Sequence, residues 1–95
     1  MTQQYLAGEL SLILARLQAV ATNQASARDV AYLRHEAESG PLTALPSVAV
    51  RALGVTDCLC WDSLTRGDTE AFTRQAVIGV ELREFGVCAG LLGEG

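Results

Sequence analysis

From Asp68 to Leu92 the apolar positions recur at alternating steps of three and four residues. Ala71, Gln75, Ile78, Leu82, Phe85, Ala89 and Leu92 therefore share one side of a helix turning about 100° per residue. Beside them run Phe72, Gly79, Gly86, Gly90 and Gly93, and Ala76, Val80 and Val87 carry the apolar arc past half the circumference. So wide an arc predicts a helix covered from at least two sides, as the centre of a bundle or as a subunit contact. Gln4 to Thr22 has the same period, with Leu6, Leu10, Ile13, Leu17 and Val20 as a core stripe widened by Leu14 and Ala21. Ser11, Gln18 and Thr22 lie opposite. A further row, Tyr5, Leu12 and Ala19, recurs every seven residues and is separated from the first by Glu9 and Arg16. Packing against another helix of the same chain is the simpler role for this row. The alternative is a subunit seam in which Glu9 meets a partner's Arg16 across a two-fold axis.

Between these two segments the pattern is weaker but still helical. Ser26 and Asp29 form an approximate capping box for a helix over Ala27 to Glu38, whose narrow stripe of Val30, Leu33 and Ala37 suits a peripheral position. Ser39, Gly40 and Pro41 end it, with Gly40 as the expected left-handed stop. From Thr43 to Arg66 the helical period resumes, and Pro46 is tolerable because it falls in the first turn. Val50, Leu53, Cys60 and Leu64 mark one face with Trp61 on its flank, while Val48, Ala52, Val55 and Leu59 mark another. Gly54 could split the segment, yet the period survives across it, and a single helix is expected. Gly67 stops that helix, Asp68 caps the last one, and Glu70 meets the positive end of its dipole. Four helices with short loops and no strand pattern predict an all-α, up-down antiparallel four-helix bundle. Residues 1–95 form a single domain.

Composition narrows the function. Hydrophobic residues make up 49% of the chain and aromatics only 5%, so the core is built from Ala, Leu and Val. Apolar surface left over from such a core favours a homodimer, or an unidentified protein partner. The net charge of −4 and the scattered basic residues argue against a nucleic-acid surface. All seven basic residues are Arg, a usage common in high-GC bacterial genomes, and the absence of Lys removes Schiff-base and P-loop lysine chemistry. No secretory signal is legible near Met1 to Tyr5, and the uncharged runs are shorter than the ~20 residues of a membrane span. A soluble cytoplasmic protein without a membrane partner is the expectation. An odd count of three cysteines fits a reducing compartment.

The side chains that could carry chemistry are few. Cys58, Cys60 and Cys88 with His35 are nominally a metal set, but residues two apart on a helix point to nearly opposite sides. Three buried or half-buried apolar cysteines are the expectation, with no metal and no cofactor. A ligand- or metal-binding bundle using Cys58, Cys60, Cys88 and Trp61 is the alternative function. Asp62, Ser63 and Leu64 are similar to the tripeptide around the phosphopantetheine serine of acyl carrier proteins, and the resemblance would imply a prosthetic group on Ser63. It covers three residues, and it places the serine near a helix end where that family has it opening a helix. Ser63 is therefore expected as a capping or surface residue. Arg66, Gly67 and Asp68 spell a cell-adhesion tripeptide whose members already serve a helix stop and restart. Glu81 and Glu84 are not accompanied by the E-x-x-H pairs of di-iron bundles, and His35 has no evident partner for base catalysis. The expectation is a non-enzymatic interaction or regulatory module acting through homodimerisation.

Overall fold

The structure is a computed structural model that describes residues 3–93. Four α-helices follow one another: α1 (Gln3–Ala19), α2 (Gln24–Ser39), α3 (Leu45–Thr65) and α4 (Thr69–Cys88), with a single 3₁₀ turn at Leu42–Ala44 before α3. Sequential neighbours pack together, and α1 closes the ring against α4. The chain is an all-α four-helix bundle, with no strand among the described residues. α2 and α4 do not touch, whereas α1 and α3 meet across the middle. In cross-section the bundle is a flattened rhombus, in keeping with extents of 41 × 26 × 16 Å. α1 and α3 thus sit on opposite broad faces, and α2 and α4 form the edges.

The centre of the core is α1. Leu10, Leu14 and Leu17 are fully buried with Ala7 and Ile13 beside them, and Leu6, Val20 and Ala21 pack at the margin. Each leucine removed from water contributes roughly 1.5–3 kcal/mol. The last helix, expected to be the most covered, lies at an edge instead. Only Gln75, Ile78, Leu82 and Gly86 of it are buried, and Val77, Val80 and Val87 face outward. Its glycines are explained within the chain. A side chain at Gly79 would press on Thr56 Cγ2 at 3.1 Å, and one at Gly86 would occupy the space filled by Leu92.

Helix ends follow from cap chemistry and correct three expectations. Asn23, not Ser26, caps α2: its Oδ1 accepts from the Ser26 backbone N–H at 2.7 Å, so the helix starts three residues earlier than the Ser26 box implied. Gly40 is extended (φ −82°, ψ 176°), as a residue before proline tends to be, and a Cβ there would lie 2.5 Å from Glu36 O. α4 stops at Cys88, short of Leu92, because Gly90 turns left-handed (φ 74°) and the Leu91 N–H returns to Gly86 O at 2.8 Å. The same Schellman closure ends α3 at Gly67 (φ 74°), with Asp68 N–H donating to Ser63 O at 2.9 Å. Asp68 then accepts from Ala71 N–H at 3.1 Å and starts α4. α3 itself is continuous through Gly54, as the unbroken period predicted.

Of the two apolar faces read on α3, the one through Val48, Ala52 and Leu59 is buried, together with Leu45, Ala49, Thr56 and Ser63. Val50 and Leu64, assigned to the other, are exposed. With its preceding turn, Leu42–Thr65 is long and apolar enough to cross a membrane by length and composition, and 33% of its apolar window is buried in the bundle. Counting only uncharged runs missed this, because the helix continues past the isolated charges Arg51 and Asp57.

Two polar ties fix register. Ser11, expected opposite the core, is buried and donates to Glu38 Oε2 at 2.6 Å. Gln75, in the apolar stripe of α4, is fully buried: it accepts from Ser63 Oγ at 2.8 Å and donates through Nε2 to Val20 O at 3.0 Å. One amide thereby joins the carbonyl just beyond α1 to α3 and α4. Gln75→Leu is expected to destabilise the protein by about 1–3 kcal/mol, by stranding the Ser63 hydroxyl and the Val20 carbonyl. Ser63→Ala should then cost less in the Gln75→Leu background than alone, a coupling that urea unfolding of the double-mutant cycle measures.

Candidate functional site

A cleft of about 550 Å³ with mixed chemistry lies between α2 and α3. The helical period places Ser26, Asp29 and Tyr32 along one wall, and Arg51, Val55 and Cys58 along the other. Gly54 opens the floor, since nothing lies within 4 Å of where its Cβ would be. At the mouth the Arg51 guanidinium donates from Nη1 to Glu36 Oε2 at 3.0 Å and lies 5.9 Å from the Tyr32 ring centroid. The pair is partly solvated and contributes little to stability; its effect is to hold the phenol ring against the rim. The Asp29 carboxylate has no ion-pair partner among the described residues.

The residues singled out in the sequence are not brought together. Cys58 lines the α2–α3 cleft, Cys60 an α3–α4 cleft of about 260 Å³, and Cys88 an α1–α4 cleft of about 190 Å³. The expectation of three buried or half-buried cysteines holds for Cys60 alone, because the turns that carry Cys58 and Cys88 point away from the core. Trp61 is 71% exposed on the outer side of α3 and lines none of these clefts. Among the described residues no three His, Cys, Asp or Glu side chains gather to hold a metal. His35 is exposed on α2.

Ser63, expected at the surface, has no exposure and is bonded to Gln75, so its hydroxyl cannot accept a prosthetic group without unfolding the end of α3. Arg16 forms an ion pair with Glu81 across α1 and α4, which engages the guanidinium that a two-fold seam would have set against Glu9. Arg83, at the edge of the apolar arc of α4, is exposed. Of the row Tyr5, Leu12 and Ala19, Leu12 is 63% exposed and Ala19 is exposed, while Tyr5 lines the α1–α4 cleft with Phe85 and Cys88.

Sequence reasoning missed the Tyr32, Arg51 and Gly54 combination. Tyr32 lies outside the narrow α2 stripe, Arg51 stood as an isolated charge, and Gly54 was weighed only as a helix break. Their i, i+3 and i, i+4 relations to Asp29, Val55 and Cys58 were available, but not which helix α3 would face. Compared with protein-family models, curated proteins and solved structures, the chain matches none of them.

The three thiols should separate by reactivity. Cys58 and Cys88 are expected to react promptly with a disulfide reagent in the native protein, and Cys60 only slowly. Burial, and secondarily the Asp57 carboxylate, push the Cys60 pKa above its ordinary value. A raised thiol pKa means the folded state holds its proton more tightly than the unfolded chain. That contribution to stability is present below the ordinary thiol pKa and is lost as pH rises through the folded value. Site-resolved alkylation across alkaline pH, read by peptide mass, measures the order.

Proposed function

We propose that the protein is a cytoplasmic protein–protein interaction or regulatory module that acts as a homodimer and has no catalytic role. The observation that carries this reading is the amount of large apolar side chain left outside a finished core. Trp61, Leu64 and Val50 on α3, Tyr5 and Leu12 on α1, and Val77 and Val80 on α4 are all at least half exposed. Single exposed hydrophobes are ordinary, but three helices of one small domain each carrying a row of them is the pattern of a surface meant to be covered.

α3 carries the largest member of this surplus, Trp61. Glu81, Glu36 and Asp62 are engaged in ion pairs with Arg16, Arg51 and Arg66. The ligand- or metal-binding alternative has less support, because Cys58, Cys60, Cys88 and Trp61 open onto different parts of the surface.

Light scattering after size exclusion is expected to give twice the chain mass at micromolar concentration, with dissociation on dilution. A protein that stays monomeric at the highest soluble concentration would refute the homodimer.

A further inference from the structure

We draw no further inference here: the strongest candidate, the α2–α3 cleft between Asp29 and Tyr32 on one wall and Arg51 and Cys58 on the other, is an open groove whose four side chains are all exposed, and nothing in the structure shows what occupies it.

Discussion

Burial of the Leu10, Leu14 and Leu17 stripe is the contact about which the other helices are arranged. α1 and α3 each touch the three other helices, and α1 contributes three of the fully buried leucines. The partners add leucines of their own, Leu33, Leu45, Leu59 and Leu82, and between them smaller groups: Val30 and Ala37 from α2, Val48, Ala49 and Ala52 from α3. A core with few aromatics closes only if backbones approach closely, and small residues along α3 permit it. This explains the flattening of the bundle. α1 and α3 come together across the short diagonal, and the edge helices are left without a mutual contact.

Hydrophobic burial has no direction, so register must come from groups that do. Gln75 supplies it at one end by joining α4 to Ser63 and to the carbonyl beyond α1; Ser11 and Glu38 supply it along the first hairpin. Such groups are costly when displaced, because a buried amide or hydroxyl without a partner loses its hydration for nothing. The surface ion pairs from Arg16 to Glu81 and from Arg51 to Glu36 sit over the two seams between hairpins. Being solvated, they orient side chains more than they stabilise the fold.

Flattening also has a consequence for function. A rhombus one short diagonal thick cannot hide both sides of α1 and α3, and it turns the outer rows of both helices onto broad faces. Trp61 and Leu12 occupy the middle of those faces for the same geometric reason. The functional proposal therefore grows out of the core packing: close approach inside the bundle leaves apolar rows outside it. The α2–α3 cleft belongs to this picture too, as one of two seams between tightly packed hairpins, held at its mouth by Arg51 over Tyr32.

By itself the sequence determined what depends on neighbours along the chain. The number of helices, the stops at Gly67 and Pro41, the Asp68 cap, the continuity of α3 and the core stripes of α1 and α2 are local matters of period and capping, and they are legible without the fold. Only the tertiary structure decided which of two equally periodic faces on α3 turned inward, that α4 lies at an edge, and that Ser63, Ser11 and Gln75 are buried polar groups. The candidate site fell on that second side, because it depends on how α2 meets α3. Periodicity reports that residues share a side of a helix; which side is buried depends on the shape and volume of partners far away in sequence.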